Sequence, residues 1–149
     1  MKICLIGASG SIGWPLYNFL KKKIKIIGTF NNNKKKNLIK FSLGRKNSEI
    51  NLLNKLDEKD VVIFLAAKTN VSWVYKNPYK AHKINCNYTI NFLKKLINKR
   101  IRIIYLSSAE VFNGKKGFYK ESSLPNPVNV YGKSKCKIEK FLKKIKYNN

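Results

Sequence analysis

The 149-residue chain holds a single histidine, His82, and that scarcity removes histidine-based triads and multi-histidine metal sites from consideration. Acids are also few, with seven Asp and Glu against 32 Lys and Arg. Asp57, Glu58 and Asp60 fall at a helix end and a strand start, with no partner carboxylate placed for acid–base work. Cys4, Cys86 and Cys136 are odd in number and lack paired spacing, so they read as separate thiols, neither a disulfide framework nor a zinc cluster, and no metal site is expected. No apolar run reaches the roughly 18 residues that a membrane-spanning helix needs, and residues 1–6 read as a strand without a leader-cleavage pattern. The expected location is therefore the cytoplasm, with no membrane insertion.

Arginine is nearly absent as well: Arg45, Arg100 and Arg102 are the only three among the 32 basic residues. A formal net charge of +25 would by itself point to a polyanionic partner. The lysines, however, are scattered through almost every segment among Asn and Ile, whereas nucleic-acid readers cluster arginine and interleave stacking aromatics. The charge reads as a compositional bias, with no specific nucleic-acid partner and only weak, nonspecific attraction to polyanions. A hydrophobic content of 44% over this length suffices for the core of one domain, residues 1–149.

What is there alternates. Residues 2–6 form a short apolar run ended by glycine, residues 11–23 carry Ile12, Leu16, Phe19 and Leu20 at helical spacing, and residues 24–30 are a second β-branched run. After a polar stretch come a short strand at 39–43, a helix over 50–56, an apolar strand over 60–67, a long helix over 77–98 opened by Pro78, and another strand over 101–107. A loop rich in Gly, Ser, Asn and Pro at 114–127 leads into helical spacing over 128–147. The alternation predicts an α/β fold, a doubly wound parallel sheet whose ligands bind beyond the carboxyl ends of the strands.

Gly7-Ala-Ser-Gly10-Ser-Ile-Gly13 lies between the first strand and the first helix, where backbone N–H groups and the positive helix end favour a pyrophosphate. Gly7 serves the sharp turn, Gly10 leaves room for phosphates and Gly13 lets helix and strand close up, with Ser9, Ser11 and Ile12 completing the cradle. At the end of the second strand, Gly28-Thr-Phe-Asn31 carries no acid to hold an adenosine ribose, while Lys34 and Lys35 follow. Asn31 and Lys34 are thus candidate cofactor contacts, and the electrostatics favour NADP, with NAD the alternative.

Tyr131-Gly-Lys-Ser-Lys135 sets a phenol and an ammonium four residues apart on one helix face, where the cation is expected to lower the tyrosine pKa and make its hydroxyl a general acid or base. Tyr17 with Lys21 and Tyr79 with Lys83 share the spacing. Only Tyr131, however, follows a strand ending in hydroxyls, Ser107-Ser108, that could polarise the same carbonyl. Trp73 and Tyr75 are expected to pack, and His82 to lie on a helix surface.

The spacing Gly7-x-x-Gly10-x-x-Gly13 resembles the short-chain dehydrogenase/reductases. Leu106-Ser-Ser-Ala-Glu-Val-Phe-Asn-Gly114 with Pro125-Asn-Pro-Val-Asn-Val-Tyr-Gly-Lys-Ser-Lys135 resembles the paired signature of the extended, sugar-nucleotide-modifying branch, dTDP-4-dehydrorhamnose reductases above all. Ala66, Ala67 and Lys68 are similar to that family's cofactor-lining segment, and Asn85 falls where it carries a helix asparagine. The resemblance implies a Rossmann-like fold and an NAD(P)-dependent oxidoreductase acting on a nucleotide-sugar substrate. In it Ser108 would bond the hexose keto oxygen, Tyr131 supply its proton, Lys135 tune Tyr131 and hold the cofactor ribose, and Asn85 support them. Epimerisation or dehydration in the same superfamily, or a noncatalytic nucleotide-binding role, are the alternatives. Ala109-Glu110 stands where the family carries an acidic-then-aromatic pair, and Ser42-Leu43 departs from its adenine-contacting segment. Family members run to nearly twice this length, so the resemblance further implies a fold truncated after the Tyr131 helix, without the smaller substrate domain, and with an apolar edge that homo-oligomerisation would cover.

Overall fold

The computed structural model describes residues 1–145, so the end of the last predicted helix at Tyr147 lies outside the described residues. Strands β1 (Ile3–Ile6), β2 (Ile26–Phe30), β3 (Leu38–Lys40), β4 (Val61–Phe64) and β5 (Arg102–Tyr105) make one parallel sheet in the order β3-β2-β1-β4-β5. Ile3 lies opposite Ile26 on one side and Val61 on the other. The order reverses between β1 and β4, which puts the switch point of a Rossmann-like sheet beside the glycine turn. The helices are α1 (Gly13–Leu20), α2 (Lys46–Leu53), α3 (Val71–Lys76), α4 (Pro78–His82), α5 (Thr89–Asn98) and α6 (Val130–Lys143).

The chain divides into two compact units, one of Met1–Ala67 with Asn91–Leu106 and one of Lys68–Ile90 with Ser107 onward. The first holds the whole sheet. Leu5 is buried with Ala8, Tyr17 and Leu38, and Trp14, Phe30 and Ile63 lie against them. Cys4, Ile6, Val62 and Phe64, which strand alternation turns the opposite way, are fully buried too, so both faces of the sheet are covered. Each such apolar side chain contributes roughly 1.5–3 kcal/mol. Phe41 and Phe92 meet at 5.0 Å between ring centres, and Lys95 of α5 bonds Glu49 of α2 at 2.6 Å.

Asp60 fastens the starts of β1 and β4. It accepts hydrogen bonds from the Lys2 N–H at 2.8 Å and the Asp57 N–H at 2.9 Å, and pairs with the Lys2 ammonium at 2.7 Å. Burial pulls its pKa upward, but the Lys2 side chain and the two backbone donors outweigh it and hold the carboxyl below its ordinary value. All three cysteines are buried and free, and burial, aided by Asp60, pushes the Cys4 thiol up to about 12.

The second unit holds α3, α4, α6 and two short turns. Sequence periodicity predicts one helix over 77–98, whereas the structure breaks it into α4, a π-helical turn over Lys83–Tyr88, and α5. Helix α3 is absent from the sequence expectation; Asn70 initiates it by accepting from the Trp73 N–H at 2.8 Å, and Asn77-Pro78 ends it. Helix α1 stops at Leu20, ahead of the expected Lys23, because Lys21 to Lys23 offer no apolar side chain to the sheet. Helix α2 starts four residues before the expected 50, drawn forward by Glu49, which accepts from the Gly44 N–H at 2.7 Å. Among the described residues no helix is long and apolar enough to cross a membrane.

Candidate functional site

The glycine turn lies in the first unit, at the carboxyl end of β1. Gly7 adopts φ +93°, and a Cβ there would stand 2.9 Å from the backbone N of Ala66, just past β4. At Gly13 a Cβ would come within 2.2 Å of the Gly7 carbonyl oxygen. These two glycines are required by the fold itself. Gly10 differs: a Cβ there would meet only the Gly7 oxygen, at 3.3 Å, and otherwise open space. Its side of the turn is shaped for something to approach from outside, and Ser11 and Ile12 beside it are exposed, Ile12 at 59%. An open, glycine-lined cradle at a strand-to-helix turn fits a dinucleotide pyrophosphate.

Two contacts that sequence reasoning missed hold this turn. The Gly7 N–H donates to Thr29 Oγ1 at 3.1 Å, with Thr29 buried on β2, and Asn33 Nδ2 donates to the Ser9 carbonyl at 3.2 Å. At the end of β2, Asn31 is engaged by Ser42, whose Oγ donates to Asn31 Oδ1 at 3.0 Å, and its carbonyl accepts from the Lys40 ammonium. Lys35 lies over the Trp14 ring at 5.0 Å, and Lys34 is exposed. The positive charge at this corner therefore includes Lys40, which the sequence expectation did not single out.

The second unit carries the predicted catalytic set. Ser108 caps a 3-10 turn over Ala109–Val111, its Oγ accepting from the Glu110 N–H at 3.2 Å, which leaves the hydroxyl proton to donate elsewhere. Ser107 is committed differently, its hydroxyl donating to Glu139. The two serines are thus not an equivalent pair. Helix α6 begins after Asn129, whose Oδ1 accepts from the Gly132 N–H at 2.8 Å. Tyr131 is half-buried on its first turn, and Lys135 is 2% exposed one turn on, its ammonium 5.7 Å from the centre of the Tyr131 ring.

The electrostatics differ from the expectation in one respect. Lys135 lies over the tyrosine ring, and burial, with Glu110 adding to it, raises the Tyr131 pKa where a lowering was expected. Loss of water around the phenol sets the direction. Burial also lowers the Lys135 pKa to about 8, with the charge of Glu139 opposing the fall. The sign for stability follows from linkage. The unfolded lysine binds its proton more tightly, so the charged form costs stability below pH 8, and the cost lifts as pH rises toward the unfolded value. Between pH 7 and pH 11, wild type should gain on the order of 3 kcal/mol over Lys135→Met, read by urea unfolding of the two at each pH. An unchanged difference would mean the ammonium is not desolvated.

Asn85 is buried on the π-helical turn and clamps the backbone of Lys68 from both sides, accepting from its N–H at 2.7 Å and donating to its carbonyl at 2.8 Å. Thr89 Oγ1 fills the carbonyl of Ile84 at 3.1 Å, relieving the ladder that the π turn opens. Asn85→Ala should cost about 2 kcal/mol, checked by equilibrium denaturation, because it strips both bonds from one backbone unit. Trp73 is half-buried with Lys68 5.4 Å from its ring centre, while Tyr75, expected to pack, is 86% exposed. His82 is half-buried, its Nδ1 3.3 Å from Ser134 Oγ. The Ser134 hydroxyl also reaches the Val130 carbonyl, at 2.9 Å.

The sequence profile of the RmlD substrate binding domain matches residues 1–149. The chain belongs to this family. A hypothetical dTDP-4-dehydrorhamnose reductase from Sulfolobus tokodaii superposes with a TM-score of 0.84 at 31% identity, over 95% of this chain and 51% of that one. The UDP-glucose 4-epimerase of Mycoplasma genitalium is 28% identical over 99% of this chain and 49% of its own length. The methionine adenosyltransferase 2 subunit beta of Bos taurus is 26% identical over 93% of this chain and 42% of its own. This RmlD-family chain thus spans about half the length of the relatives it matches.

Proposed function

We propose that the protein binds a nicotinamide dinucleotide, NADPH in preference to NADH, and reduces a keto group on the hexose of a nucleotide sugar. The observation that carries this reading is the pair on α6, a half-buried phenol with a deeply buried lysine one turn on, its ammonium 5.7 Å from the centre of the ring. Gly7, Ser9, Gly10, Ser11, Ile12 and Gly13 would cradle the pyrophosphate, and Ala66, Ala67 and Lys68 would line the cofactor. Lys135 would hydrogen-bond its ribose. The nicotinamide, when bound, supplies hydride to the carbonyl carbon.

The chain's own residues do the rest. The Ser108 hydroxyl donates a hydrogen bond to the keto oxygen, polarising it, and Tyr131 passes its phenolic proton to that oxygen as negative charge builds there. Burial and the Glu110 charge keep the phenol protonated at neutral pH, as a proton donor must be, while making it a weaker acid than an ordinary tyrosine. Preference for the phosphorylated cofactor rests on the acid-free end of β2, where Lys40 bonds the Asn31 carbonyl and Lys34 and Lys35 follow a few residues on in sequence.

Titration with NADPH and with NADH, followed by nucleotide fluorescence, tests the binding half; Lys34→Ala and Lys40→Ala should weaken NADPH and leave NADH unaffected. Adding a dTDP-4-keto-6-deoxyhexose and watching the absorbance of the reduced nicotinamide tests the chemistry. Binding without oxidation would sink the reductase reading. It would favour a second one, a nucleotide-binding protein without turnover.

A further inference from the structure

Glu110 is an exposed acid on the 3-10 turn after Ser108, and three of its groups are engaged at once. Its N–H donates to Ser108 Oγ at 3.2 Å. Its carboxylate accepts from Asn129 Nδ2, while Asn129 Oδ1 accepts from the Gly132 N–H at 2.8 Å. Its carbonyl oxygen lies where a Cβ on Gly132 would approach to 2.0 Å, so α6 closes onto this turn to a distance that glycine alone allows. A backbone bond from the Asn126 N–H to the Val111 carbonyl at 2.9 Å runs alongside. In sequence Tyr131 lies between the two residues that Glu110 meets, Asn129, which caps α6, and Gly132 on its first turn.

We propose that Glu110 is a positioning residue, fastening the turn that carries Ser108 to the first turn of α6 so that the serine hydroxyl and the tyrosine phenol are presented as one rigid pair. The inference rests on the reading above of these two groups as the ones that meet a carbonyl. A pair of donors converging on one oxygen tolerates little relative drift, since misplacement by about 1 Å can cost roughly a hundredfold in rate. The carboxylate also acts on Tyr131 through its charge. The other charged or titratable groups on and against α6 include Lys135 over the Tyr131 ring, Glu139 acting on Lys135, Lys137 acting on Cys86, His82 against Ser134, Lys83 over Tyr88, and Lys133, Cys136, Lys140 and Lys143 of the helix itself.

The test uses the full chain in four forms besides wild type. Glu110→Gln keeps an acceptor for Asn129 and every backbone contact but removes the charge; Glu110→Ala removes the acceptor; Asn129→Asp keeps the cap on Gly132 and sets a like charge against Glu110; the fourth combines the last two. Glu110→Ala and Asn129→Asp should each lower kcat by roughly ten- to a hundredfold without changing the KM for nucleotide, and the double variant should be no worse than either. Glu110→Gln should stay within about threefold of wild type, and the basic limb of its pH profile should move to lower pH. Hydrogen exchange at the Gly132 amide, which needs no turnover, should quicken in Glu110→Ala and not in Glu110→Gln. Wild-type exchange and wild-type kcat in Glu110→Ala, or losses that add in the double variant, would overturn the proposal. If wild type reduces no nucleotide sugar, the proposed function fails, and Gly132 exchange alone decides the clamp.

Discussion

Tyr131→Phe should reduce kcat by roughly a hundred- to ten-thousandfold, the usual range for loss of a general acid. The substitution is a narrow one. Phenylalanine retains the half-buried ring and the face over which the Lys135 ammonium lies at 5.7 Å, so the packing of α6 and the lysine's surroundings persist. Only the hydroxyl goes, and with it the proton that burial and Glu110 hold in place at neutral pH. Reduction of a keto group consumes that proton at the oxygen, and Ser108, whose hydroxyl is a far weaker acid, can polarise the carbonyl without replacing it. Nucleotide affinity, measured by fluorescence titration, should be the same in both proteins. A steady-state rate within about threefold of wild type would remove Tyr131 from the role of proton donor.

Gly13→Ala should destabilise the fold by about 3 kcal/mol or more, at the upper end of overpacking, because every atom its methyl would strike is backbone. The Gly7 oxygen lies at 2.2 Å, the Ala8 Cα at 2.8 Å and the Gly7 carbonyl carbon at 2.9 Å, none of which can rotate aside as a side chain would. Helix α1 would have to move off β1. Gly10→Ala is the informative contrast: its methyl meets one atom at 3.3 Å and otherwise projects into the open side of the turn. It should cost less than about 1 kcal/mol in urea unfolding yet, on the proposed binding of a dinucleotide in this cradle, weaken NADPH by roughly tenfold or more by intruding on the space its phosphates would take. Wild-type affinity in Gly10→Ala would mean that no dinucleotide approaches by that side.

The parallel, alternating sheet and the glycine turn were legible because they depend on local pattern: continuous apolar runs for strands buried on both faces, and a glycine triplet at the first strand-to-helix junction. The placement of Tyr131 and Lys135 one turn apart followed from helical spacing alone. What stayed hidden depends on partners distant in sequence. Thr29 looks like any strand residue until Gly7, twenty-two positions away, donates to it, and Lys40 is one lysine among many until it reaches Asn31. The pKa direction of Tyr131 was misjudged because spacing reveals a neighbouring cation and says nothing of how much water the phenol has lost. Two signals were nevertheless available. Asn129 three residues ahead of Gly132 is a cap pattern, and Glu139 lies one helical turn beyond Lys135.

The bonds that shape the glycine turn, Gly7 to Thr29 and Asn33 to Ser9, join neutral groups only, whereas at the end of β2 the Asn31 carbonyl is held by the Lys40 ammonium. Ionic strength should therefore leave the geometry of the turn alone while weakening its attraction for anions. At 0.1 M salt fields from exposed charges fade over about 10 Å, and at 1 M over about 3 Å, so added salt should weaken a dinucleotide with a 2′-phosphate more than one that carries only the pyrophosphate.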